Sequence, residues 1–267
     1  MIETLQLKDS IFEIKERVAT LTLNRNDVRN ALTGTALIDE ICRVAEWINS
    51  NDAVSVLIIT GAGGAFSSGG NVKDMASQAG DFSGSSSEIH NKYRAGIQRI
   101  PKAIDSIEVP VIAAVNGAAI GAGFDLANMA DIRLASSSAK FGETFINLGL
   151  IPGDGGWWFL QKIVGHQRAA ELTLTGRVID AEEAKTLGIV LDVYEPNQLL
   201  VAAYALAATI AKKPPKTVRL TKRLMKKSNE LSLSSYLEFC ACFQSYCHSE
   251  DEHLQAVNDF IDKSKSG

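Results

Sequence analysis

The sequence predicts an α/β fold with strands buried on both faces, and three observations carry that expectation. Residues 54–60 form a β-branched, apolar run and residues 111–115 form another, each the length of a strand rather than a helix. Between them, Leu37, Ile38, Ile41, Val44, Ala45 and Ile48 recur at spacings of three and four, the pattern of a helix with one buried face. Glycine-rich turns follow both runs, at 61–70 and 117–123, so the strands deliver loops whose backbone can approach a ligand closely.

At 267 residues, of which 46% are hydrophobic, the chain can bury a full core. Its formal net charge of −4 offers no general attraction to nucleic acid or to an anionic membrane. No apolar run reaches the ~18 residues of a membrane span, and residues 1–12 alternate polar with apolar side chains instead of building a signal-peptide core. The expectation is a cytoplasmic protein acting on a small soluble ligand. The four cysteines, at 42, 240, 242 and 247, are too few for a disulfide framework and should stay reduced.

Taken in order, 11–14 and 18–23 read as the strands of an opening hairpin around Lys15, Glu16 and Arg17. Thr33 is placed to cap the helix that carries Leu37 to Ile48. Residues 78–87, rich in Ser, Gly and Asp, have the composition of a mobile loop. A helical pattern from 88 to 107 contains Pro101, which should kink or end it. Pro110 can open a strand but not sit in its middle, so it marks the start of the run at Val111. After residue 165, a turn at Gly176 separates two helices, the second capped by Asp180, and 188–194 is a last strand-like run. From Gln198 onward the chain is helical, broken at Pro214 and Pro215.

Residues 109–136, VPVIAAVNGAAIGAGFDLANMADIRLAS, concentrate the chemistry. Their glycines run G-x-x-x-G-x-G, not the G-x-G-x-x-G of a dinucleotide fold, and the stretch lies in mid-chain. From about Ala122 the helix pattern is apolar on every side, with Phe124, Leu126, Ala127, Met129 and Ala130, so this helix should be buried. Its first N–H groups face the glycine turn and favour an oxyanion or a phosphate. Asp125, one turn inside, is a carboxylate whose burial is costly unless it is paired or functional.

The segment NGAAIGAGFDLANMADIRLAS resembles the signature of the crotonase superfamily, the enoyl-CoA hydratases and isomerases. Other segments do so in the right order: RNAL at 29–32, FSSGGNVKDM at 66–75, and 141–156 beside the family form F-G-x-P-E-x-x-x-G-x-x-P-G-x-G-G. The resemblance covers nearly the whole chain. It implies a crotonase-like spiral of ββα turns over residues 1–197 and a C-terminal helical trimerisation region over 198–267. It implies an acyl-CoA substrate, with coenzyme A part of that substrate and no separate cofactor, and a homotrimer or dimer of trimers.

The resemblance makes the backbone N–H groups of Ser68 and Ala122 the oxyanion donors, which this chemistry needs because charge develops on the thioester oxygen as the α-carbon becomes enolate-like. The implied CoA contacts are Arg29, Ala31, Ser68, Gly69, Gly70 and Asn71, with Phe260 and Lys263 reaching a CoA bound by the neighbouring subunit. Asp125 falls where family members carry a carboxylate for acid–base work, usually Glu in the hydratases. A second departure lies further on, where the second glutamate of a hydratase falls on Phe145 and the preceding proline on Thr144. Glu143, on the same side as Phe145 if the segment is extended, and Asp154, in a glycine-flanked loop, are the carboxylates available to replace it. Read by themselves, Glu143 is a solvated side chain and Asp154 a turn residue. The implied reaction is hydration of a 2-enoyl-CoA to a 3-hydroxyacyl-CoA. Enoyl-CoA or dienoyl-CoA isomerisation is the alternative, and a non-catalytic fold kept for binding is the alternative of another class.

Other motifs carry less. A nucleophilic Ser68 lacks the G-x-S-x-G elbow. The lysines and arginines of 212–227 read as the solvated face of amphipathic helices. Cys240, Cys242, Cys247, His248 and His253 lack the C-x-x-C spacing of a zinc site, so no metal is expected.

Overall fold

A computed structural model of the chain describes residues 5–265. The hairpin forms as β1 (Ser10–Lys15) and β2 (Val18–Leu23), and α1 (Leu37–Asn49) follows. Next come β3 (Val56–Gly61), β4 (Ala65–Ser67), α2 (Val72–Ala76), α3 (Ser86–Ala95) and α4 (Arg99–Ser106). The central stretch supplies β5 (Val111–Val115), β6 (Ala118–Ile120) and α5 (Ala122–Asn128). Beyond it lie β7 (Ile132–Ser136), β8 (Lys140–Gly142), α6 (Gly156–Val164), α7 (His166–Thr175), β9 (Val178–Asp180), α8 (Ala181–Thr186) and β10 (Asp192–Tyr194). The chain closes with α9 (Leu199–Ala211), α10 (Pro215–Lys227), α11 (Leu233–Ser249) and α12 (Asp251–Lys265). No helix among the described residues is long and apolar enough to cross a membrane.

The strands divide into a six-stranded sheet, β1-β2-β3-β5-β7-β10, and a four-stranded sheet, β4-β6-β8-β9. Consecutive pairs β3/β4, β5/β6 and β7/β8 each give one strand to each sheet, so the chain advances as a spiral. Pairing is parallel except for β1 with β2 and β8 with β9. The apolar runs are explained by period two: Leu57, Ile59, Ala113 and Val115 face the main core under α1 and α4, while Val56, Ile58, Ile112 and Ala114 face Leu199, Ala203 and Ala207 of α9. Both faces of the sheet are covered, so neither face of these strands carries a polar stripe.

Three local expectations shift. Thr33 does not cap α1; its Oγ1 accepts the Asn71 N–H at 2.8 Å, and the helix start is satisfied instead by Asp9 Oδ2, which accepts Ala36 N–H at 2.7 Å. The break in the 88–107 pattern falls at Gly96, between α3 and α4, rather than at Pro101. Pro101 sits in the first turn of α4, where its missing N–H would have had no intrahelical acceptor. Of the run 188–194 only Asp192–Tyr194 pairs as strand. Asp180 does cap α8, its Oδ1 accepting Glu183 N–H at 2.9 Å.

Candidate active site

Parallel pairing of β4 with β6 sets the loops at their ends side by side. Two glycines allow the close approach: a Cβ on Gly123 would lie 2.1 Å from Ser67 O, and one on Gly69, whose φ is +75°, would lie 2.8 Å from Ala122 N. Ala122 opens α5, so its N–H has no intrahelical acceptor. It lines a cavity together with Gly70, Thr33, Met75, Phe82, Tyr93, Phe145 and Asp154. Phe82 is held there by a short turn that Lys92 fastens, its Nζ donating to Gly80 O at 2.9 Å, Ser83 O at 2.9 Å and Ser83 Oγ at 2.8 Å.

The Ser68 N–H is engaged elsewhere: it donates to Arg29 O at 2.9 Å. Its hydroxyl donates to Val28 O at 3.3 Å, which ties the serine to the 28–30 loop. Gly70, two residues on, lines the cavity beside Ala122, and among the described residues no acceptor holds its N–H. The resemblance names Ser68 of this loop as an oxyanion donor, whereas its N–H is held by Arg29 O. Tyr93, Phe82 and Met75 were also missed as lining residues, since nothing in a helix or loop pattern marks them.

The three carboxyls singled out in sequence do meet, though not as an extended segment would bring them. Residues 144–148 form a 3-10 turn, so Phe145 faces the cavity while Glu143 turns inward and is 1% exposed. The solvated reading of Glu143 is therefore overturned. Asp125 is 0% and Asp154 4% exposed, and only Asp154 of the three lines the cavity. The Asp125 carboxyl lies close enough to those of Asp154 and Glu143 for the three to act on one another electrostatically. Neither oxygen of Asp125 or Glu143, nor Asp154 Oδ1, has a hydrogen-bond partner among the described residues. Gly156 closes the back of the cluster, since a Cβ there would lie 2.0 Å from Asp125 Oδ1.

Burial without a cation raises all three. Asp125 is held well above the carboxylate range by desolvation, then by the neighbouring charges of Asp154 and Glu143. Desolvation pushes Glu143 up to about 7, against the lowering influence of the neighbouring Asp125 carboxyl. Asp154 is raised by burial too. Tyr93, beside Asp154, is raised by its own burial and then by that carboxylate. No group of three or more His, Cys, Asp or Glu side chains among the described residues is arranged to hold a metal ion.

The implied CoA contacts scatter. Arg29 is exposed at φ +52°, with its carbonyl bonded to Ser68 N–H. Ala31 is buried, and Gly69 is buried between the two loops. The Asn71 side chain is used locally, Oδ1 capping α2 at Lys73 N–H (3.1 Å) and Nδ2 donating to Asp74 at 2.7 Å. Phe260, 74% exposed, and Lys263 lie on α12, which contributes nothing to the cavity lining.

Ala122 at the start of α5, Gly70 in the loop after β4 and Asp154, a carboxyl of raised pKa, line one cavity, the pairing of backbone donors with a perturbed acid that marks a candidate catalytic site. The family model described as Enoyl-CoA hydratase/isomerase matches residues 13–267, and the chain belongs to that family. The chain is 32% identical to a short-chain-enoyl-CoA hydratase of Clostridium acetobutylicum, covering 98% of this chain and 97% of the relative. It is 34% identical to a crotonyl-CoA hydratase of Syntrophomonas wolfei, over 96% of each. Among solved structures, an enoyl-CoA hydratase from Bacillus anthracis superposes with a TM-score of 0.88 at 31% identity, covering 96% of this chain and 97% of that one.

Proposed function

We propose that the protein adds water across the double bond of a 2-enoyl-CoA thioester to give the 3-hydroxyacyl-CoA, the thioester oxygen resting on the N–H groups of Ala122 and Gly70. What supports this reading is that Ala122, Gly70 and Asp154 line one cavity. Water gives its proton to Asp154 as its oxygen bonds to the β-carbon; the π pair moves to the α-carbon and thioester oxygen, and Asp154 returns a proton to the α-carbon. Asp125, whose carboxyl lies near that of Asp154, positions it. The Ser68 amide becomes a donor only if its bond to Arg29 O is broken. Met75, Phe82, Ile97, Phe145 and Leu150 make the acyl side apolar.

Arg29 meets a CoA phosphate at the rim in this reading, Ala31, Gly69, Gly70 and Asn71 supply backbone around it, and Phe260 and Lys263 reach the CoA of a neighbouring copy. Exposed Leu233, Leu237, Phe239 and Phe260 on α11 and α12 supply apolar surface for a homotrimer or dimer of trimers. The division at 197/198 separates spiral from assembly helices in this scheme, although α9 covers the six-stranded sheet.

Phe145, standing in the cavity where a second carboxylate is wanted, favours isomerisation as the second reading. A panel of enoyl-CoA thioesters followed by mass spectrometry separates the two. Gain of one water is the expected result; unchanged mass with shifted ultraviolet absorbance assigns an isomerase, and no change with any member removes the enzyme reading.

A further inference from the structure

The carboxyl cluster contains more than the proposed reaction uses. Asp154 lines the cavity, whereas Glu143 does not: it is 1% exposed, near the carboxyl of Asp125, and its two oxygens have no hydrogen-bond partner among the described residues. A carboxyl nine-tenths buried beside other acids must hold or share a proton, because no salt bridge offsets its charge. Asp125 has one O–H to give and two carboxyls to receive it. Whichever of Asp154 and Glu143 does not receive it is left without a donor.

We propose that Glu143 is a positioning residue whose protonation state directs the Asp125 O–H: neutral Glu143 donates to Asp125 and turns its proton onto Asp154, whereas ionised Glu143 takes that hydrogen bond for itself. This rests on the reading of Asp154 as the cavity-facing acid–base group. Below the Glu143 transition the chain runs in one direction, Glu143 to Asp125 to ionised Asp154, which supports Asp154 as base. Above it the direction reverses and Asp154 loses its donor. The groups bearing on the chain come from three sides: Asp125 from α5, Asp154 from the 152–156 loop, and the Tyr93 phenol from α3, itself close to Asp81. None of these is a cation; Lys92 lines the same cavity, but its Nζ donates to Gly80 O and to Ser83 O and Oγ rather than to the carboxyls. Burial pushes Glu143 up to about 7, which puts the reversal in an accessible range.

The test compares wild type, Glu143→Gln and Glu143→Leu. Glutamine keeps an N–H donor toward Asp125 but cannot ionise; leucine removes donor and charge. The pH dependence of kcat is measured with crotonyl-CoA, and the infrared band of protonated carboxyls is titrated in each free protein. Wild type should lose about tenfold or more in kcat as pH rises past Glu143, with loss of infrared intensity over the same interval. Glu143→Gln should hold the low-pH kcat across the range and lack that infrared step, while Glu143→Leu should be about tenfold or more slower at every pH. An infrared step unchanged in Glu143→Gln, or identical pH profiles in wild type and Glu143→Gln, overturns the proposal. If the step vanishes in Glu143→Gln but no protein hydrates crotonyl-CoA, the proton chain stands and it is the hydratase reading that fails.

Discussion

Two clusters of buried charge flank β5 and are built on opposite principles. Before the strand begins, Lys222 is 5% exposed, yet its Nζ pairs with Asp131 at 2.7 Å and donates to Val109 O at 2.7 Å. Asp131 in turn accepts Val111 N–H at 2.7 Å, so cation, anion and backbone satisfy one another. Past the end of the strand, Asp125, Glu143 and Asp154 are just as buried but share one sign and lack donors of their own. The first cluster pins α10 onto the sheet. The second spends stability to keep carboxyls protonated beside a cavity, which is the arrangement expected of a working site rather than of a fastener.

If that contrast is right, the two clusters respond differently to mutation. Asp154→Asn should cut kcat about 10²- to 10⁴-fold, the range of general acid–base contributions, with little change in unfolding midpoint. A variant retaining wild-type kcat would move the chemistry elsewhere. Lys222→Met should do the reverse, costing about 3–5 kcal/mol in urea unfolding because Asp131 and Val109 O lose their partner, while kcat of the folded fraction is kept.

Ala122→Pro tests the amide half of the site, since α5 accepts proline at its first position. Removing that N–H should lower kcat about 10²- to 10³-fold with the circular dichroism spectrum unchanged.

Stability against pH distinguishes the clusters again. Glu143 is raised in the folded protein from 4.5 to about 7, so the folded state keeps a proton that the unfolded chain releases. Its contribution is full below the unfolded value and is lost as pH rises toward 7, a fall of about 3 kcal/mol. Glu143→Gln should flatten that slope in denaturant titrations between about pH 5 and pH 8. A slope as steep in the variant as in wild type would assign it to other groups. The smallest effect is expected for Ser68→Ala. It loses one 3.3 Å bond to Val28 O, and should cost under about 1 kcal/mol and less than tenfold in kcat.

Much of this protein is determined by local sequence. Residues 54–60 and 111–115 become buried strands because a continuous apolar run of that length has no other economical place, and the pattern at 37–48 turns one face of α1 to the core. The helix start at Ala122, the glycine turn before it and the buried Asp125 follow from residues adjacent in sequence. What tertiary structure alone decided is which groups point at one another. The resemblance names the Ser68 amide as an oxyanion donor; the bond from Ser68 N–H to Arg29 O, across 39 positions, is what engages it elsewhere, while Gly70 lines the cavity. From sequence, Glu143 stays open between a solvated side chain and a carboxylate replacing the one missing at Phe145. It is buried because the 3-10 turn after it reverses the side expected of an extended chain and because Gly156 lets α6 close over Asp125. Side-chain direction in a loop depends on contacts far away in sequence, whereas strand and helix burial depends on a period that the chain carries within itself.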